Sequence, residues 1–382
     1  MASIRKFKNK NGTTSWEYRI KVRDPFTEKF KEKSKRGFKT KKEAQLAAAE
    51  EEKRIAEGLE IAPIKLRDFL IVWLEEYKKG TIRKNTYEIH SRNIHNHIIP
   101  YFKNLQLNSL KPIMYQQFLN SLTEKGYSKR TVEIIHGTMY SVYDKARILN
   151  KIEKNPCEGV TIKGKTKTDN LKYIDSKDIP LFLTEAYKYG YIHWIFFKVL
   201  IETGLRKGEA AALQWTDVDL KERKITVNKT FDFSFKKEEE MFGDPKTYNS
   251  SRTITISQSL ANDLLFHKKY QNQNKIALNS AYHHDLNLVL CRNDGNYMPK
   301  STLFNSFSRI LKRCNLPQIP IHSLRHTHAV LQLEAGADMK YIQTRLGHGS
   351  MQITADVYSH ISDKIEEERI DKFEEYTKGI LN

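Results

Sequence analysis

The sequence predicts a multidomain chain, mainly α-helical with small β-sheets: a small sheet plus helix, then a helical bundle, then a mixed α/β domain. Three observations carry this expectation. At 382 residues the chain is long enough for two or three domains, each burying its own core. Near the start, Trp16, Tyr18, Ile20 and Val22 alternate with Glu17, Arg19, Lys21 and Arg23, the period of a strand with one buried face. From Leu66 the period changes, and Leu66, Phe69, Leu70, Trp73, Leu74 and Tyr77 fall on one helical stripe.

Residues 3–8 and 29–38 are expected to flank the first strand. Thr40-Lys41-Lys42-Glu43 has capping-box spacing and opens an Ala-rich helix that runs to about Glu57 and stops at Gly58. This first unit occupies residues 1–60. The second, residues 63–160, follows its opening helix with segments near 84–99, 112–125 and 128–150. In the last of these Val132, Ile135, Met139, Val142 and Ala146 line one side, and a four-helix bundle is the economical way to bury such stripes. Residues 161–172 are polar, Lys-rich and aperiodic, as an interdomain linker would be. The third unit, 173–382, is mostly helical, with strand-like runs at 224–228, 252–257 and 288–291.

Charge narrows the partners. The chain carries 65 Lys and Arg against 46 Asp and Glu, a net +19, and its first 42 residues hold 15 basic side chains against four acidic ones. Such concentration marks a polyanion binder, while 39% apolar and 11% aromatic residues exclude a disordered basic tail. In the first unit Arg5, Lys6, Arg19, Lys21, Arg23, Lys33 and Lys35 are candidates to face DNA. In the second, Lys84, Lys129 and Arg130 stand near helix ends, within reach of phosphates. Cys157, Cys291 and Cys314 are far apart without ligand spacing, so reduced thiols in a cytoplasmic protein are expected. No apolar run follows the basic N-terminus and none approaches the ~18 residues of a membrane span, so a soluble protein that is not exported is expected.

The chemistry is concentrated late in the chain. His322-Ser323-Leu324-Arg325-His326 is followed by Leu346-Gly347-His348 and, ten residues on, by Tyr358. Arginine, histidine and tyrosine are the groups a phenol needs to attack a phosphodiester without a metal: cations for the phosphate, imidazoles for protons, a nucleophile. Upstream, Arg206 follows Thr203-Gly204-Leu205, a break where the backbone can turn, and Arg325 should begin a helix. Two guanidiniums can hold both non-bridging oxygens of one phosphate. Lys246, in Pro245-Lys246-Thr247, should lie on a turn before the strand-like run at 252, and by residue type it serves either as a proton donor or as a phosphate-positioning charge. His322, His326 and His328 lack a carboxylate at ligand spacing, and two arginines would repel a divalent ion, so no metal or other cofactor is expected. Gly347 and Gly349 break the chain around His348, and Tyr358 should enter the helix that follows. Tyr341, before the break, is expected in the core.

In order and approximate spacing, Thr203-Gly204-Leu205-Arg206-Lys207-Gly208-Glu209, Pro245-Lys246-Thr247, His322-Ser323-Leu324-Arg325-His326, Leu346-Gly347-His348 and Tyr358 resemble the signature of the tyrosine recombinases, the integrases of phages and conjugative transposons. The resemblance covers the third unit and extends to the layout before it, which is similar to an arm-type DNA-binding domain followed by a helical core-binding domain. It implies that Tyr358 is the nucleophile, that Arg206, Arg325, His322 and His348 stabilise the transition state, and that Lys246 protonates the 5′ oxygen. It further implies a 3′-phosphotyrosyl intermediate, a Holliday junction and a homo-tetramer on double-stranded attachment sites, with a directionality factor and a host DNA-bending protein as possible partners. No ATP is needed, in keeping with the lack of a Gly-x-x-x-x-Gly-Lys loop. An acidic helix at 362–378 would dock onto a neighbouring protomer or fold back in cis. The alternatives are a host chromosome-resolving recombinase, a type IB topoisomerase and a non-catalytic DNA-binding regulator. The basic first unit favours integration and excision of a mobile element.

Overall fold

The structure, a computed structural model, describes residues 2–8, 14–23, 30–56, 64–164, 171–244, 251–347, 370, 373–378 and 380, with the side chains of all of these except Arg23, Lys31, Arg54 and Ala56. It divides into two compact units, residues 1–167 and 168–382.

The first unit opens with β1 (Ser3–Lys8), β2 (Thr14–Arg23) and β3 (Phe30–Phe38), an antiparallel sheet with β2 central, followed by α1 (Lys41–Ala56). The period-two pattern works as expected: Tyr18 and Ile20 of β2 are buried with Ala44 and Ala48 of α1. The capping box is formed, with Glu43 N donating to Thr40 Oγ1 at 3.1 Å and Glu43 Oε2 accepting from Thr40 N at 3.4 Å.

The bundle comprises α2 (Leu66–Val72), running on through a π-helical turn at Trp73–Lys78; α3 (Lys84–Asn93), running through Ile94–Ile98 into α4 (Ile99–Phe102); α5 (Pro112–Glu124); and α6 (Lys129–Ile148). Trp73, Ile94, Tyr115, Phe118, Val132, Ile135, Met139 and Val142 form its core. Each helix turns one stripe inward, and burying the stripes against each other is what stabilises helices of this length. The bundle's contacts continue past residue 160. Ile162 packs on the core, and Thr161 exchanges backbone hydrogen bonds with the Gln116 side chain at 2.9 and 2.8 Å.

The second unit is built around α8 (Tyr191–Thr203), whose Ile195, Phe196, Phe197, Val199 and Leu200 are all buried; a helix apolar on most sides belongs at the centre of a core. Around it lie α7 (Ile179–Tyr189), α9 (Lys207–Ala211), α10 (Gln258–Leu278), α11 (Lys300–Arg313), α12 (Ser323–Glu334) and α13 (Met339–Leu346). The strands β4 (Val218–Asp219), β5 (Lys224–Val227) and β8 (Arg252–Thr255) form one sheet in that order, and β6 (Thr230–Phe231) pairs with β7 (Phe242–Gly243).

Two expectations are corrected. The run 288–291 is not a strand: it makes single bridges, Gln214 with Leu288 and Cys291 with Tyr297. Its apolar character comes from burial of Val289 and Leu290, which periodicity alone does not separate from strand pairing. Tyr341 is 47% exposed rather than core, because α13 buries Ile342 and Leu346 and Tyr341 falls one position off that face. Most of the expected C-terminal helix lies outside the described residues; of it, Ile370, Phe373 and Tyr376 are helical and exposed. No helix among the described residues is long and apolar enough to cross a membrane.

Candidate active site

Four arginines and one glutamate converge on the C-terminal end of α13. Helix α8 ends at Thr203, and Gly204 takes a left-handed conformation, φ +67°, which a residue with a Cβ adopts at a cost. Space also requires glycine here, since a Cβ would stand 2.4 Å from Leu346 Cδ2 and 2.6 Å from His328 Cδ2. This turn sets Arg206 at the head of α9, where its backbone N donates to Glu209 Oε2 at 3.0 Å and its Nη1 to Glu209 Oε1 at 2.7 Å. Arg206 Nη2 donates to the Gly347 carbonyl at 3.1 Å.

Arg325, in the first turn of α12, is 2% exposed. Its Nη1 donates to the Gly204 carbonyl at 2.8 Å and its Nη2 to the Leu346 carbonyl. Arg252, which opens β8, donates through Nε to the Arg345 carbonyl at 2.7 Å and through Nη2 to Glu209 Oε2 at 3.0 Å. Three consecutive carbonyls, those of residues 345, 346 and 347, therefore each accept from a different arginine. These are groups an α-helix leaves unsatisfied at the negative end of its dipole, so the guanidiniums fix the point from which the chain enters His348.

Arg345 anchors the same end by its own side chain, donating to the Thr255 carbonyl at 2.8 Å and through Nε to His328 Nε2 at 3.1 Å. His328 Nδ1 lies 2.8 Å from the Ile201 carbonyl. These partners assign the neutral tautomer with the proton on Nδ1. Burial, reinforced by the Arg345 charge, lowers His328 to about 4, with the Ile201 hydrogen bond acting in the opposite direction.

The electrostatics favour an anion. Burial alone would raise the Glu209 carboxyl, but hydrogen bonds and charge from Arg252 and Arg206 outweigh it and hold the group below its usual range. Burial, then the neighbouring Arg206 charge, lowers Arg325 to about 9, which still leaves it charged at neutral pH. Arg206, Arg252 and Arg325 thus share one buried carboxylate, an excess of positive charge that a phosphodiester would neutralise through charge-assisted hydrogen bonds. His322 is exposed at the head of α12, its ring edge-on to His326 with centroids 5.3 Å apart. Burial, then Arg325, lowers the pKa of His326.

The structure therefore brings Arg206 and Arg325 onto adjacent carbonyls and sets His322 one turn ahead of Arg325. Lys246, His348 and Tyr358 lie outside the described residues. Sequence reasoning gave no role to Glu209, Arg345 or His328 and saw position 252 only as the start of a strand-like run. The signal for Glu209 was its capping-box distance of three from Arg206; the others bond to backbone carbonyls far away in sequence. Among the described residues no group of His, Cys, Asp and Glu is arranged to hold a metal ion.

On the first sheet, strand register separates the basic candidates. Arg5 stands opposite Glu17, and Arg19 and Lys21 follow on the same face, turned away from α1. Lys6, Lys33 and Lys35 stand opposite Trp16, Ile20 and Tyr18, on the helix-packed face. There Lys33 bonds to Glu51 of α1 at 2.7 Å, and Lys35 lies 6.0 Å from the Phe38 ring centroid. Arg23 ends β2, its side chain outside the described residues. In the bundle, Lys84 opens α3, and Lys129 and Arg130 open α6. Cations at helix N-termini oppose the dipole, a cost that a bound phosphate reverses.

A buried arginine cluster short of negative charge, on a fold that also carries a basic open sheet, defines a protein of the DNA phosphoryl-transfer class. The chain belongs to the phage integrase family. The family model described as "Phage integrase family" matches residues 172–364, "Phage integrase, N-terminal SAM-like domain" matches 65–123, and "Arm DNA-binding domain" matches 3–55. A protein of Caldanaerobacter subterraneus subsp. tengcongensis named "Tyrosine recombinase XerC-like" is 30% identical over 351 residues, 85% of this chain and 87% of that protein. The ICEBs1 integrase of Bacillus subtilis is 28% identical over 77% of this chain and 78% of its own length. In fold, the chain is similar to the Tn1549 transposon integrase in complex with transposon right end DNA, with a TM-score of 0.66 at 19% identity, covering 81% of this chain and 99% of that one. It is also similar to lambda integrase in a tetramer bound to a Holliday junction, with a TM-score of 0.57 at 16% identity, covering 90% and 95%. The chain is a tyrosine recombinase, an enzyme that cleaves and rejoins DNA in site-specific recombination.

Proposed function

We propose that this recombinase integrates and excises a mobile genetic element through a covalent 3′-phosphotyrosyl DNA intermediate. The observation that carries the chemistry is the pair Arg206 and Arg325, bonded to the adjacent carbonyls of Gly347 and Leu346 in a cluster short of negative charge. In this reading the Tyr358 oxygen attacks the scissile phosphorus, a phosphotyrosyl bond forms, and the bond to the 5′ oxygen breaks. Lys246 gives that oxygen its proton, and the phenolic proton passes toward His322 or His348. Arg206 and Arg325, with the two histidines, neutralise the charge that builds on the equatorial oxygens. The 5′ hydroxyl of a partner strand then reverses the steps, so the bond energy is kept in the intermediate and no nucleotide is consumed. The roles of Lys246, His348 and Tyr358 rest on their sequence motifs.

The proposed division is an arm-type DNA-binding domain at 1–60, a core-binding domain at 63–160, a linker at 161–172 and a catalytic domain at 173–382. Separate hydrophobic cores for the sheet, the bundle and the second unit support it, as do separate family matches. The arm domain would engage DNA through Arg5, Arg19, Lys21 and Arg23, with Lys6, Lys33 and Lys35 at its flank, and the bundle through Lys84, Lys129 and Arg130. The working form is a homo-tetramer on its attachment sites, the assembly named for lambda integrase, with a directionality factor and a host DNA-bending protein as partners. The compartment is the cytoplasm, in keeping with three free, buried cysteines.

A nicked suicide duplex spanning an attachment site tests the chemistry. The wild-type chain should accumulate a covalent protein-DNA adduct, and Tyr358→Phe should form none while retaining the same duplex in a gel shift. An adduct with the Phe variant would remove Tyr358 from its role.

A further inference from the structure

Glu17 is an acid at the centre of a basic surface. It lies on the open face of β2, with Arg5 opposite on β1 and Arg36 opposite on β3, and it is 3% exposed. Its Oε1 accepts from Arg19 Nε at 2.9 Å and its Oε2 from Arg36 Nε at 2.6 Å; Arg19 is fully engaged, its Nη2 2.9 Å from the same Glu17 Oε1 and its Nη1 donating to Glu32 Oε1 at 3.1 Å. The Arg36 guanidinium also lies over the Phe7 ring, 4.5 Å from the centroid. Glu17 therefore engages Arg36 through Nε, and among the described residues no other acceptor takes its two Nη amino groups, which remain a forked pair whose plane the ring below holds.

A face that only attracted phosphates would gain by losing this carboxylate, because a negative charge among cations weakens the field they make. Arginine in a fixed orientation has a different use: its fork matches O6 and N7 of guanine in the major groove, a contact that depends on aim. A sheet face is also narrow enough to enter that groove.

Resting on the reading of this sheet as a DNA-binding face, we propose that Glu17 is a specificity-determining residue, which holds Arg36 in place to read guanine in the major groove. Glu17 acts through Arg36 and touches no base itself. Removing its charge makes the face more cationic, so non-specific DNA binding rises while discrimination falls, opposite signs that neither unfolding nor loss of a phosphate contact would give.

The test is selection by the full-length chain from duplexes with a random centre, at about 0.15 M salt. Enriched motifs that vanish in the double variant Arg5→Glu, Lys21→Glu belong to the first sheet. A wild-type selection without any such motif overturns the reading of the sheet as a sequence-specific binder, and the inference with it. Where the motif is present, Glu17→Gln should enrich its guanines about ten-fold less or worse, while total DNA retained stays level or rises. Arg36→Lys, which keeps the charge and loses the fork, should lose preference at one guanine position. Guanine enrichment by Glu17→Gln equal to wild type overturns the inference while leaving the DNA-binding reading intact.

Discussion

At the scale of single residues, the site depends on which groups are charged in the fold. His328 donates to the Ile201 carbonyl and accepts from Arg345, so a second proton would set an N–H against an N–H beside a guanidinium. His267 is likewise held neutral, lowered to about 4 chiefly by burial. A histidine whose folded pKa lies below its ordinary 6.5 contributes stability that is complete above pH 6.5. That contribution is lost as pH falls toward 4, because the unfolded chain takes up a proton that the fold refuses. Each of the two should cost at most about 3 kcal/mol by the lower end of that window. The urea midpoint of the full chain should therefore fall between pH 7 and pH 5; equal midpoints would refute the assignment. Arg206 and Arg325 could be picked out in the sequence because each sits in a recognisable motif. Glu209 carried only the local signal of its capping-box spacing from Arg206, and Arg252, Arg345 and His328 carried none, because their importance lies in partners 17 to 143 residues away.

At the scale of elements, the end of α13 is the joint on which the arginine cluster turns. Its three terminal carbonyls take arginines from α12, β8 and the head of α9, and the turn after α8 packs directly against it. Gly204→Ala should show this. The variant must bear both a positive φ and contacts of 2.4 and 2.6 Å to Leu346 and His328, a penalty of about 2–4 kcal/mol. Thermal denaturation should give a clearly lower midpoint, and cleavage at a temperature where the variant is folded should still be slowed because α13 is displaced. An unchanged midpoint would mean the turn is looser than these distances require. The sequence had already marked helices, the first sheet and the Thr40 capping box, because periodicity and capping are local. It misread 288–291, where burial rather than sheet pairing made the run apolar, and it put Tyr341 in the core because a helix face is set by what packs on it.

At the scale of the whole molecule, basic charge is concentrated in the sheet of the first unit and in the arginine cluster of the second. Binding through the sheet should weaken steeply with salt, in proportion to the phosphates it neutralises. Footprinting with the full chain should show protection at arm-type sequences lost at moderate salt, before protection at the cleavage site; simultaneous loss would argue against a separate arm site.

The sequence by itself determined the chemistry of this protein: an ordered set of arginine, lysine, histidine and tyrosine motifs, a surplus of basic charge at the front, and periods that dictate a sheet, a bundle and a mixed domain. Those properties are local, so the order of residues suffices to express them. Only the tertiary structure decided which arginines meet, which carbonyls they cap and which carboxylate they share. It also decided that Lys33 turns toward Glu51 while Arg36 stacks on Phe7 beside Glu17. The physical reason is that a buried charge is defined by its partners, and folding brings those partners from distant parts of the chain.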